Sequence, residues 1–348
     1  MRRRDLAAWA LAAAVAATLW SSYLPWPVRG RLDAVAPFTQ LLAIRPLLAT
    51  VALVSGIAGL VVLRRLRWTP YPALLLLVAA SAALGQVAPR ALSRADPAPA
   101  SAPRLTIVVA NLLRSSVAPA VLVDLQRRTG ADVLALPETN VRRARGVALG
   151  LRAATGEAWV AEGDRVIGSP TSRTARPTAL VVRASLGPVR LAERASRPGS
   201  GSGRNGQVLV RLTRIPDSGG RPVRGATATV AAVHPRPPLP GPGQATWRSD
   251  LLALRDACRR GVLVAGDLNA TIDHSPMRAL KRAGCEDAAA ATGAGLQTTW
   301  AGGPLRLVRP TIDHVLTSGD WRATDAGVLD LRGSDHRAVW ATVVAAPG

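Results

Sequence analysis

The pattern of apolar and polar positions divides the chain into two parts. Residues 6–24, 46–63 and 71–88 are apolar runs free of charged side chains. Each is near the length that crosses a bilayer core of ~30 Å, and apolar residues run around the whole helix. The pattern therefore predicts three transmembrane helices, at about 6–24, 46–63 and 71–88. Arg2, Arg3 and Arg4 precede the first run, and Arg64, Arg65 and Arg67 separate the second from the third. Such clusters stay in the cytoplasm. Three spans starting inside would leave everything after Ala88 outside. Residues 90–103, RALSRADPAPASAP, read as a Pro/Ala-rich linker.

From Arg104 onward the pattern changes to short strands alternating with amphipathic helices. LTIVVA at 105–110 predicts a strand that delivers Asn111. A helix ending at Thr129, stopped by Gly130, leads to a second strand, DVLAL, at 132–136. No element is legible with any clarity from there to about residue 206. Strands follow at 207–213 and 227–233, the latter ending at His234. A helix at 246–259 leads to VLVAGDLNA at 262–270, where an apolar run is broken by Gly266 and followed by Asp267 and Asn269. A further helix is predicted at 276–283, and strands at 312–316, carrying Asp313, and at 338–343, just after Asp335 and His336. Alternating strands and helices predict an α/β domain over 104–348.

Composition adds a charge of +22, carried almost wholly by arginine because Lys281 is the single lysine. Before Arg104 there are 11 basic and 3 acidic residues, and from it onward 33 and 19, so the two parts carry +8 and +14. This favours an anionic partner: nucleic acid, an acidic lipid surface or a phosphorylated substrate. Cys258 and Cys285 are the only cysteines. No zinc spacing exists, and two buried thiols are expected, with a disulfide as the alternative if the domain lies in an oxidising compartment.

Asn111, Glu138, His234, Asp267, Asn269, Asp313, Asp335 and His336 all fall at or just beyond predicted strands. A carboxylate and an amide emerging together from a buried strand are costly unless they bind something. The ordered motifs NLL, LPE, VHP, GDLNA, IDHVL and GSDH resemble the endonuclease/exonuclease/phosphatase superfamily over roughly 105–345. The resemblance implies two packed β-sheets flanked by helices, a four-layer sandwich, behind the three transmembrane helices. It also implies roles. Glu138 would bind a metal with Asn111 beside it, Mg²⁺ first and Mn²⁺ as a substitute, since hard cations take oxygen ligands. Asp267 and Asn269 would orient the attacking water and the phosphate, and His234 would contact the phosphate or leaving group. His336 would be the catalytic histidine, oriented by Asp313, with Asp335 near the metal.

Two departures stand out. Pro137 replaces the glutamine common before the glutamate, and Leu113 replaces an acidic or amide side chain two after the asparagine. The part beyond residue 90 also holds neither Tyr nor Phe, so base stacking would fall to Trp159, Trp247, Trp300, Trp321 or Trp340. Of the other histidines, His314 reads as a core residue, while His274 would line the mouth or face solvent.

The expected function is a membrane-anchored, Mg²⁺-dependent phosphohydrolase. It would act outside the cytoplasm on a phosphate ester or pyrophosphate, with a lipid-linked one as the expected case. A membrane-tethered nuclease is the alternative, and a catalytically dead sensing domain a third reading.

Overall fold

The computed structural model describes residues 3–25, 31–65, 69–163, 177–187, 190–191, 207–301 and 309–345. Among the described residues, twelve strands form two sheets. They are β1 (Arg104–Val109), β2 (Val133–Pro137), β3 (Trp159–Gly163), β4 (Thr178–Arg183), β5 (Arg190–Leu191) and β6 (Gln207–Leu212). After these come β7 (Ala228–Val233), β8 (Leu263–Asp267), β9 (Glu286–Asp287), β10 (Asp313–Thr317), β11 (Trp321–Asp330) and β12 (Arg337–Ala345). One sheet has the order β11-β12-β1-β2-β4-β3 and the other β5-β6-β7-β8-β10-β9. Both are mixed: β1 runs parallel to β2 and β7 to β8, whereas β8 and β10 are antiparallel.

Strand parity explains the layers. Leu105, Ile107 and Val109 of β1 pack with Leu263 and Ala265 of β8 and Val315 of β10 in a core between the sheets. The alternate residues face outward, as period-two alternation requires. Val108 and Ala110 meet Leu122 and Leu125 of helix Pro119–Thr129 and Val147 and Leu151 of helix Val141–Thr155. On the other side, Val264 and Leu268 meet Trp247 and Leu251 of helix Pro242–Ala253 and Met277 and Leu280 of helix Ser275–Arg282. Helix, sheet, sheet and helix are thus the four expected layers.

Several local expectations are corrected. Gly266 does not end its strand: β8 continues to Asp267, and a Cβ at Gly266 would sit 1.9 Å from the Val233 carbonyl oxygen of β7. Only glycine permits that approach of two parallel strands. The long helix expected at 246–259 breaks at Leu254 into Pro242–Ala253 and Arg255–Arg259. Helix Val141–Thr155 and strands β3, β4 and β11 lie where no element is legible from the pattern alone. Cys258 and Cys285 form a disulfide rather than two thiols, closing the segment that contains β8.

The N-terminal part is also revised. Among the described residues two helices, Arg45–Arg65 and Tyr71–Leu92, are long and apolar enough to cross a membrane, where three were expected. The first helix, Arg3–Leu19, has 17 residues, about 25 Å at ~1.5 Å per residue. It stops because Trp20–Leu24 form hydrogen-bonded turns in which Ser21 and Ser22 are buried. The Ser21 carbonyl accepts the Asp33 N–H, and the Arg278 guanidinium bonds the Ser22 hydroxyl and carbonyl. The three helices pack through Leu19, Ala49, Ala52, Ala79, Ala80 and Ala83. Leu47, Val51, Val54, Ile57, Val61 and Val62 remain exposed along Arg45–Arg65.

Candidate active site

The strand ends bring most of the motif residues to one edge of the paired sheets. Asp267 and Asp313 stand opposite each other in the β8–β10 register. Asp267 is buried and accepts three groups. Its Oδ2 takes the Asn111 side-chain amide at 3.0 Å and lies 3.4 Å from His234 Nε2, while Oδ1 takes the Asn269 backbone N–H at 2.9 Å. Burial alone would raise the Asp267 pKa, but the facing His336 and His234 rings and the Asn269 N–H hold it well below the ordinary carboxylate range.

His336 is the second hub. Its Nδ1 meets Asp313 Oδ2 at 2.9 Å, which turns Nε2 toward Asp267 Oδ2 at 3.7 Å and Asp335 Oδ1 at 3.9 Å. Burial disfavours the imidazolium, yet Asp313 and Asp267 outweigh it and push the pKa up to about 10. Asp313 itself is raised, chiefly by burial. Its N–H donates to Thr299 Oγ1 at 3.1 Å.

Asn111 is fixed by a further bond, its Oδ1 accepting Leu113 N–H at 3.0 Å. Asn269 donates its amide to the Pro235 carbonyl at 3.0 Å, joining the GDLNA loop to the segment that follows His234. Glu138 reaches the edge from the end of β2, with Oε2 accepting Arg114 N–H at 3.0 Å. Asp335 accepts the Trp300 indole N–H at 3.0 Å, and its Oδ1 takes no hydrogen bond.

Backbone strain gathers at the same edge. Among the described residues, the non-glycine positions with positive φ are Leu113, Arg114, Ser115, Glu138 and Asn269. Left-handed conformations at such residues persist only where the surroundings impose them, and they cluster at working sites.

Among the described residues one group of side chains brings its ligand atoms close enough to hold a divalent cation. Ligand atoms of Asp267, Asp313 and His336 lie within 4.8 Å of one another. In the metal-free chain His336 carries a proton between Asp313 and Asp267, which a cation bound at this group would displace. Glu138, Asn111 and Asp335 offer oxygen donors, and the buried Asp335 Oδ1 takes no hydrogen bond. Oxygen donors of this kind suit a hard divalent cation.

The sequence profile of the endonuclease/exonuclease/phosphatase family matches residues 97–336. The chain belongs to that family. Its members are hydrolases acting on phosphate esters. No curated protein matches the chain. Similar solved structures include an endonuclease/exonuclease/phosphatase from Beutenbergia cavernae DSM 12333, with 15% identity and a TM-score of 0.50, covering 70% of this chain and 72% of that one. Another is TDP2 of D. rerio complexed with a single-strand DNA product, with 16% identity and a TM-score of 0.51, covering 69% of this chain and 98% of that one. These likenesses concern the fold.

The family likeness left other residues unmarked. His274, expected at the mouth or in solvent, is buried, and its Nε2 donates to the Thr39 carbonyl at 2.9 Å. Asp273 binds Arg45 and Arg90. Thr299 and Trp300 support Asp313 and Asp335. Nothing in a single sequence marks these, because their partners lie far along the chain. His314 is a core residue as expected, paired with Asp287 at 2.6 Å. Of the five tryptophans, Trp247, Trp159 and Trp321 are buried, which removes them as stacking surfaces. Trp300 lies beside His336, ring centroids 6.4 Å apart.

Proposed function

We propose that the protein is a membrane-anchored, Mg²⁺-dependent phosphohydrolase acting outside the cytoplasm on a lipid-linked phosphate ester or pyrophosphate. The observation that carries this reading is where the membrane segment meets the catalytic domain. A cavity of about 240 Å³ opens at this junction, lined on one side by Ile44, Pro46 and Leu47 at the start of helix Arg45–Arg65. Its opposite wall is Thr271 and Ile272, just after the GDLNA loop, with Pro310 and Thr311, just before Asp313. The substrate's scissile phosphate would therefore reach the site from the bilayer surface, where lipid headgroups are concentrated.

Glu138, Asn111 and Asp335 would hold the cation, which supplies charge on the phosphoryl oxygens. Asp267, kept ionised, aligns the attacking water, and Asn269 beside it binds the phosphate. His336, kept protonated by Asp313, places a positive charge where negative charge develops. His234 approaches Asp267 from the end of the neighbouring strand β7 and serves the phosphate or leaving oxygen.

The helix ends support one orientation. Arg45 and Arg90 both lie at the catalytic-domain end of the apolar helices, and Arg64 and Arg65 at the far end. A cytoplasmic Arg64–Arg65 end supports an external catalytic domain. The disulfide suits the same compartment.

Nuclease activity is the competing reading. The charge of the catalytic part and Trp300 beside His336 favour it, whereas burial of three other tryptophans opposes it. The test offers full-length protein in lipid nanodiscs a lipid pyrophosphate, a lipid phosphodiester and single-stranded DNA, each with Mg²⁺. Hydrolysis of a lipid substrate is expected. Efficient DNA cleavage with both lipids untouched would overturn the proposal.

A further inference from the structure

The GDLNA loop does not end at Ala270. Residues 271–275 continue it into a junction with the N-terminal segment, and the contacts there are polar and buried. Asp273 is 2% exposed and lies between two guanidinium groups, with Arg45 Nη1 on Oδ1 at 2.7 Å and Arg90 Nη1 on Oδ2 at 2.7 Å. Arg45 is itself 1% exposed and begins a helix able to cross a membrane, while Arg90 lies in the last turn of the other. Beside this cluster, Ser275 N–H donates to Asp33 Oδ2 at 2.6 Å. His274 Nε2 donates to the Thr39 carbonyl, which leaves Nδ1 to accept the Thr271 N–H at 3.0 Å. On the inner side, the Trp247 indole N–H donates to the Asn269 carbonyl at 3.0 Å, and its ring meets His274 edge-on.

We infer that Arg45 and Arg90 are positioning residues, through which the membrane segment holds the loop carrying Asp267 and Asn269 in its working geometry. The inference rests on the reading that this loop hydrolyses a phosphate ester. Its physical basis is that Asp273 is buried among groups that cannot rearrange cheaply. Removing either arginine leaves a buried carboxylate under-compensated, and its relaxation moves a loop only four residues from Asn269. Small displacements of that kind are costly to catalysis. Three helices then do more than retain the enzyme at a surface, because they complete the support of its active site.

The experiment uses the full-length chain in nanodiscs, with Arg45→Met, Arg90→Met, Arg45→Lys and, as a control at the same junction, Gln40→Ala. Gln40 donates to the Pro238 carbonyl, away from the loop. Two quantities are read: steady-state hydrolysis of a phosphodiester, and the ¹⁹F resonance of Trp247 in protein labelled with 5-fluorotryptophan, assigned among nine tryptophans by Trp247→Phe. Both methionine variants should lower kcat by roughly 10- to 100-fold with KM nearly unchanged, and should shift the Trp247 signal. Arg45→Lys should restore most of both, and Gln40→Ala should alter neither. Folded Arg90→Met, the less buried site, with native kcat and an unmoved Trp247 signal would overturn the inference, as would equal losses in Gln40→Ala. If the wild-type chain hydrolyses no phosphate ester, the functional reading falls, and the Trp247 signal alone still decides whether the arginines position the loop.

Discussion

Asp313 Oδ2 holds His336 Nδ1 at 2.9 Å, and this single contact aims the other ring nitrogen at Asp267. It also supplies much of the charge that keeps the imidazole protonated. Asp313→Asn preserves the shape and removes the charge, so the ring loses its imposed tautomer. We expect kcat to fall by ~10²-fold or more with little change in the unfolding midpoint. Steady-state kinetics beside thermal unfolding check this, and near-normal turnover in a folded variant would contradict the role.

The protonation of His336 makes a separate prediction for the metal-free chain. Its folded pKa of about 10 lies above the unfolded imidazole value, which is ~6.5. The stability it contributes is therefore complete below ~6.5 and is lost as pH rises through about 10. With only four histidines in the chain, the ring resonances can be followed individually by NMR. One should titrate near pH 10, vanish in His336→Ala, and accompany a falling unfolding midpoint across that range. Titration of His336 at or below its ordinary value would remove the argument for an imidazolium.

Much of the catalytic layer was legible because each motif residue sits at the end of a strand whose apolar run is readable on its own. Asn111 after LTIVV, Asp267 after LVAG and Asp313 before HVLT are such cases, and the register places the last two opposite each other. What stayed hidden depends on tertiary partners. Strand β11 reads poorly because its exposed face interleaves Arg322, Asp325 and Asp330 with apolar residues, and a register shift at Ala323/Asp325 breaks its alternation. The first apolar run looked long enough to span because Ser21 and Ser22 carry no charge. Their bonds to residues far along the chain, which end the helix, cannot be seen locally. The Asp273–Arg45–Arg90 cluster joins residues over 180 positions apart and left no periodic trace.

Gly266 predicts a steric effect. A methyl group there collides with the Val233 carbonyl, so Gly266→Ala must push β7 and β8 apart. Overpacking of this kind costs roughly 1–3 kcal/mol or more. Because Asp267 is the next residue, activity should drop beyond the loss of folded protein. Denaturant unfolding with parallel kinetics tests both, and a native midpoint would show that the strands tolerate the group.

Cys258 and Cys285 lie 27 positions apart and flank β8. Closing a loop of that size stabilises by about 3 kcal/mol on the chain-entropy account. The denatured, unreduced protein should contain no free thiol, and reduction should lower its unfolding midpoint. A count of two thiols would contradict the bond.

On the proposed function, Glu138 and His336 belong to one metal-dependent phosphohydrolase site. Its most direct test is phosphate-ester hydrolysis by the full-length protein in nanodiscs, with Mg²⁺ and with EDTA, for wild type, Glu138→Ala and His336→Ala. The wild type should turn over only with Mg²⁺, and each folded variant should lose ~10²-fold or more. Hydrolysis that survives EDTA, or near-normal turnover in either variant, would contradict the account.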